Sequence, residues 1–222
     1  MITVHHLNNS RSQRVLWMLE ELGLEYEIKR YERDKKTMLA PPELKAVHPL
    51  GKSPVITDGD KTLAESGAIL EYLVSTYGKG KFIPPENSPE RLRYTFWMHY
   101  AEGSLMPPLL MTLIFNKIET SPMPFFIKPV AKGISAKVKS SFINPTLKTH
   151  LDFVEAELGK SPWFAGEELT AADVQMSFPM EGAAARDRSG SSRPRSAAFL
   201  DRVHARPAYK TALEKGGPFT LG

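Results

Sequence analysis

The sequence predicts an α/β domain followed by an all-α domain. Three observations carry this. Residues 2–31 read strand–helix–strand, and residues 55–77 read hairpin–helix. After a Gly/Pro-rich stretch at 78–89, no segment alternates as a half-buried strand would.

"ITVHHL" (2–7) is a short β-rich run, ended by the polar "NNSRSQ" (8–13). In the segment that follows, Val15, Met18, Leu19 and Leu22 fall on one helical face, and Gly23 is placed to stop the helix. Ser12, just ahead of the helical run, is read as its N-cap. "EYEIKRY" (25–31) alternates as a second strand, so a right-handed parallel crossover is implied. Residues 32–49 look irregular, broken by Pro41-Pro42 and His48-Pro49. "VITDGDKTLAE" (55–65) reads as a hairpin turning at Asp58-Gly59. From Ser66 a helix places Ile69, Leu70 and Leu73 on one face. These elements set a first domain at 1–78, a linker at 79–89 and a second domain at 90–222.

In the second domain, 90–115 is a long helix that Pro107 and Pro108 should kink or break. A helix over 144–159 is predicted with Asn144 as N-cap, Pro145 as first residue and Gly159 as stop. "LTAADVQMSFPMEGAAA" (169–185) opens on a capping box, Thr170 with Asp173 three residues on. A further helix at 196–205 ends at Arg206-Pro207. "RDRSGSSRPRS" (186–196) reads as a basic, solvated connection.

The chain has 222 residues, 41% hydrophobic and 24% charged, the balance of a water-soluble globular protein. It has no cysteine, which excludes a disulfide framework, a thiolate metal site and a cysteine nucleophile. Thiol chemistry here must use a thiol that arrives with a ligand. Much of the net charge of +4 sits near 186–206, and it suits a small anion as well as it suits nucleic acid. No 18-residue apolar run and no basic-then-apolar leader is present, so a cytoplasmic protein with no membrane or nucleic-acid partner is expected.

Pro54 stands at the mouth of a predicted strand, where it cannot donate a ladder hydrogen bond. Glu65-Ser66 stand at the start of the next helix. With "SRSQRVLWMLEELGLEYE" (10–27), "HPLGKSPVITDGDKTLAESGAILEYL" (48–73), "FAGEELTAADV" (164–174) and "RPAY" (206–209), the chain resembles the glutathione transferase family over essentially its whole length. It looks most like bacterial and fungal members whose first helix begins with serine or asparagine. That resemblance implies a thioredoxin-like N-terminal domain and a helical C-terminal one. It implies a homodimer that adds the thiolate of glutathione to small hydrophobic electrophiles. No metal or cofactor is implied beyond glutathione as co-substrate. A glutathione-dependent peroxidase or disulfide reductase and a non-enzymatic glutathione-binding module are the alternatives on the same scaffold.

Each part of glutathione then finds a candidate. The resemblance implies a cis Pro54 that turns the backbone of Ser53 toward the cysteinyl unit, which pairs with it as an added strand does. Ser66 and the first N–H groups of its helix suit the γ-glutamyl carboxylate, and Glu65 suits the α-ammonium. Lys52, with His48 second, suits the glycyl carboxylate. A free thiol of pKa ~8.5 needs help to ionise at neutral pH, and a hydrogen-bond donor near a helix N-terminus supplies it. Ser10 is preferred, with Asn9, Arg11 and Ser12 as alternatives. For the electrophile, Tyr100 and Ser104 share a face of the helix that also carries Trp97 and Met111. Most of that aromatic and methionine stripe is expected to be core. The resemblance further implies that Glu102 reaches a neighbouring subunit's glutathione.

Overall fold

A computed structural model describes residues 1–186, 193–217 and 219. Most of the basic connection read at 186–196 lies outside them.

The N-terminal unit is a four-stranded mixed sheet with the order β2-β1-β3-β4. Strand β1 (Ile2–Leu7) is followed by helix α1 (Ser12–Leu22) and strand β2 (Tyr26–Tyr31), which pairs with β1 in parallel. The hairpin β3 (Val55–Asp58) and β4 (Lys61–Ala64) then adds antiparallel to the other side of β1. Helix α3 (Ser66–Tyr77) packs against α1. The sheet thus joins the parallel crossover and the hairpin that the sequence predicts. Gly23 ends α1 at φ 64, and Leu24 N–H reaches back to Leu19 O, closing the left-handed cap that glycine adopts freely.

A short helix, α2 (Glu43–Val47), forms in the stretch read as irregular. It is too short to show a periodicity, and it exists because Leu44 completes a small second core with Leu7 and Tyr31. The start of α1 also departs from expectation. Ser12 is helical, and the turn is set by Ser10, whose Oγ accepts the Ser12 N–H at 3.3 Å.

The remaining chain is helical: α4 (Pro89–Tyr100), α5 (Met106–Thr120), α6 (Lys128–Val138), α7 (Asn144–Glu157), α8 (Ala171–Ala184), α9 (Pro194–Ala205) and α10 (Pro207–Gly216). Pro107 and Pro108 do not break the helix they follow. A π-helical turn at Ala101–Leu105 joins α4 to α5, with Met106 N–H bonded to Ala101 O. The wider turn shifts the proline rings off the preceding carbonyls. The same device recurs at Lys139–Ile143, ahead of Pro145. Asn144 is therefore a helical residue in a continuous chain from α6 to α7, and not an N-cap. In this unit two helices escaped the sequence reading, α6 and α10. Arg206-Pro207 does end α9, but the extended Arg206 (φ −67, ψ 131) and the first-turn Pro207 also begin α10.

The capping box forms. Asp173 accepts hydrogen bonds from the Thr170 N–H at 2.8 Å and the Thr170 hydroxyl at 2.9 Å, and a third from Phe164 N–H at 2.7 Å. One core spans both units. Helix α1 lies between the sheet side and α8 and α10, with Trp17 packed edge-on to Tyr209 at 5.3 Å. No helix among the described residues is long and apolar enough to cross a membrane.

Candidate active site

The site residues converge where three N-terminal segments meet the helical unit. The first is the turn between β1 and α1. Asn9 is exposed and takes the left-handed backbone (φ 47) that asparagine tolerates. Ser10 is buried, 4% exposed. Its Oγ lies 2.7 Å from Ser12 Oγ, which lies 2.8 Å from His6 Nδ1. Burial lowers the His6 pKa most, with the Gly216 backbone opposing. A thiolate at Ser10 must compete with Ser12 and Ser53, the hydroxyls within reach of its Oγ.

The second segment is the loop before β3. The Ser53–Pro54 peptide is cis. The Ser53 hydroxyl donates to His5 O at 2.9 Å, accepts from Leu7 N–H at 3.3 Å and lies 3.4 Å from Ser10 Oγ. These contacts staple the loop to β1. Lys52 is exposed on the same loop. His48 sits just after α2, where its Nδ1 accepts Leu50 N–H at 3.4 Å.

The third segment is the start of α3. Glu65 is exposed, with φ 69 and ψ 118. A side chain pays about 1–3 kcal/mol for such a backbone, a strain of the kind that clusters at functional sites. Ser66 is 3% exposed and accepts a hydrogen bond from Arg14 Nη2 at 3.1 Å.

Arg14 is the residue the sequence reading missed. It is 1% exposed. Besides Ser66, it donates to Glu102 Oε1 at 2.5 Å and to Gln175 O at 2.6 Å. The last acceptor follows from the sequence. Pro179, inside α8, has no N–H to give the carbonyl four residues back, so Gln175 O is left for Arg14. Burial lowers the Arg14 pKa to about 10, with Glu102 opposing, so the cation persists at neutral pH. Burial pushes the Glu102 carboxyl up, but Arg14 and Arg11 outweigh it and hold it below its ordinary value. Arg11 Nε binds both Glu102 oxygens, at 2.9 and 3.1 Å. Glu102 is thus engaged within its own subunit, and Arg11 is held away from a role as a lone donor.

On the electrophile side, Tyr100 does not present its phenol to an open face. Its hydroxyl lies 2.6 Å from His150 Nδ1, and its ring packs with Phe96, Trp97 and Phe153. Burial raises its pKa to about 12. Ser104, in the π-helical turn, is half-buried, as is Met111. A cavity of about 680 Å³ between the linker and residues 163–170 contains none of the predicted site residues.

The profile for the glutathione S-transferase N-terminal domain matches residues 1–75, and that for the glutathione S-transferase C-terminal domain matches residues 120–216. Glutathione S-transferase 3 of Schizosaccharomyces pombe is 38% identical over 221 residues, covering all of this chain and 90% of its own. Glutathione S-transferase 1 of Saccharomyces cerevisiae is 35% identical, covering 97% of this chain and 95% of its own. The crystal structure of a glutathione S-transferase from Actinobacillus pleuropneumoniae superposes with a TM-score of 0.82 at 34% identity, covering all of this chain and 94% of that one. A thioredoxin-like sheet unit joined to a helical unit defines the class, and the chain belongs to the glutathione S-transferase family as a glutathione transferase.

Proposed function

We propose that the chain binds glutathione across these three segments and transfers its thiolate to small apolar electrophiles, as a cytoplasmic homodimer. The observation that carries the binding mode is the Arg14–Ser66 hydrogen bond at the N-terminus of α3. Arginine only donates, so the Ser66 oxygen must accept from it. The single Ser66 proton is then left to donate outward, beside the free N–H groups of the first helical turn. That is a carboxylate site with its donors oriented in advance. Glu65 adds a partner for the adjoining ammonium, which only a zwitterionic ligand end would use. Lys52, with His48 near it, meets the glycyl carboxylate, and the Ser53 backbone pairs with the cysteinyl unit beside Pro54.

Replacing Glu65 or Ser66 with alanine is expected to weaken glutathione binding roughly 10–150-fold, the loss of a charge-assisted contact of about 1.5–3 kcal/mol. Calorimetric titration with glutathione measures it, and unchanged affinity in both variants would remove this binding mode.

The thiolate donor is drawn from the turn before α1. Ser10 can serve if its hydroxyl, 2.7 Å from Ser12 Oγ, turns its proton to the sulfur, a bond favoured because that acceptor is charged. Ser10→Ala then raises the bound thiol pKa by about 1 unit. Ultraviolet thiolate absorbance against pH, at saturating glutathione, decides among Ser10→Ala, Asn9→Ala, Arg11→Ala and Ser12→Ala. A shift in Asn9→Ala alone would move the role one residue, to the exposed side chain. Ser104 and Met111 are the proposed electrophile contacts, and Tyr100 shapes the wall through its ring. A panel of an aryl halide, a hydroperoxide and a mixed disulfide tests the transfer. Turnover of the disulfide or hydroperoxide alone would replace conjugation with reduction.

The homodimer is checked by light scattering, which should give twice the 24.8 kDa chain mass. A monomer at working concentration would remove it.

A further inference from the structure

The helical hairpin made by α5 and α6 differs from the rest of the molecule. Of residues 110–142, only Ser135 is buried, and none belongs to either hydrophobic core. Helix α6 packs mainly on α5, where Ser135 Oγ donates to Phe115 O at 3.2 Å. Yet this stretch carries much of the exposed apolar surface. Phe125 and Phe126, edge-on to each other at 5.6 Å in the connection at the hairpin tip, are 86% and 66% exposed. Ile127, Val130 and Ile134 continue from them along one face of α6, all exposed. A patch of this kind marks an interaction surface.

Its charge says with what. Residues 110–142 contain five lysines, Lys117, Lys128, Lys132, Lys137 and Lys139, and a single acid, Glu119. Glu119 is already paired with Lys139 at 2.6 Å. The hairpin therefore carries +4, as much as the whole chain. A second copy of the same face would meet like charge and is disfavoured. We infer that the α5–α6 tip is a peripheral docking surface for an anionic lipid bilayer, with Phe125 and Phe126 entering the interface and the lysines meeting acidic headgroups. Aromatic rings at the headgroup boundary, with lysine stems lying along apolar surface and their ammonium groups in the polar layer, form such a contact without a spanning helix. A search for membrane-spanning runs passes over it.

The test uses the full chain and sedimentation with vesicles. One set is phosphatidylcholine alone, the other contains about 30% phosphatidylglycerol to supply negative surface charge. The chain is expected to bind the anionic vesicles at least about tenfold more tightly than the neutral ones, and to be released by high salt. Phe125→Ser/Phe126→Ser and Lys128→Glu/Lys132→Glu should each weaken that binding about tenfold while leaving conjugation of an aryl halide unchanged. The fluorescence of Phe126→Trp should shift to the blue with anionic vesicles only. Absence of sedimentation with anionic vesicles, or equal binding by the variants, overturns the proposal. So does a fall in molar mass of the phenylalanine variant without any vesicle binding by the wild type, which would assign the face to a second copy. Capture of an acidic protein without any vesicle binding would overturn it too.

Discussion

Asp173→Ala should lower the stability of the chain by about 3–5 kcal/mol, because it leaves three buried donors without an acceptor and each costs about 1–3 kcal/mol. Those donors are the Phe164 N–H, the Thr170 N–H and the Thr170 hydroxyl, all within 2.9 Å of a fully buried carboxyl. The loss is expected to appear as a lower urea midpoint. Thr170→Val, which removes one donor together with its share of the acceptor, should cost less. Asp173→Asn should fall between, since its amide nitrogen must face a donor. The pH dependence has a definite sign. Burial raises the folded carboxyl from 3.8 to about 6, with the three donors opposing. Between those values the folded chain holds a proton that the unfolded chain has released. The wild type should therefore gain stability relative to Asp173→Asn as pH falls through about 6 toward about 4. A difference that shrinks over that range would mean the donors outweigh burial.

Arg14→Met is expected to act on stability and on binding together. It strips one of two charge partners from the half-buried Glu102 and the guanidinium donor from Gln175 O, and breaking a buried pair by removing one partner costs about 3–5 kcal/mol. Arg11 still holds Glu102, which places the expected loss at the lower end, about 3 kcal/mol. Glutathione affinity should fall about tenfold as well, because the Ser66 hydroxyl loses the donor that orients it. Arg14→Lys should recover little of either. Three acceptors on three helices need the spread of a planar guanidinium, and an ammonium offers its donors from one nitrogen. Denaturation and calorimetric titration measure the two effects separately. Unchanged affinity beside lowered stability would confine Arg14 to a structural role.

Where a signal is local, it survives from sequence to structure. Val15, Met18, Leu19 and Leu22 draw one helix face without help from elsewhere, Asp58-Gly59 turns its own hairpin, Gly23 stops its own helix, and Thr170 and Asp173 close a box three residues apart. Ser66 is equally local, because α3 begins at it as the sequence predicts. The elements that escaped are those whose reason is distant or of short range. Helix α2 rests on Leu44 meeting Leu7 and Tyr31. Pro107 and Pro108 predict a kink or break, and Asn144-Pro145 predict a new helix start, because π-helical turns have no pattern in residue types; only the geometry at Ala101–Leu105 and Lys139–Ile143 carries the helix through.

The same division runs through the site. Residue types are legible along the chain: no cysteine, hydroxyls and an asparagine before α1, Lys-Ser-Pro before β3, and Glu-Ser before α3. Which of them are committed elsewhere depends on the packing of distant elements. Ser10 leads through Ser12 to His6, Arg11 is drawn to Glu102, and Tyr100 turns to His150, each partner lying on another element. Arg14 looks like one more helix residue until Pro179, 165 positions later, frees a carbonyl for it. Hydrogen-bond donors and acceptors have no period along a chain. Their pairing is set by which elements the apolar core brings together, and that is known only once the chain has folded.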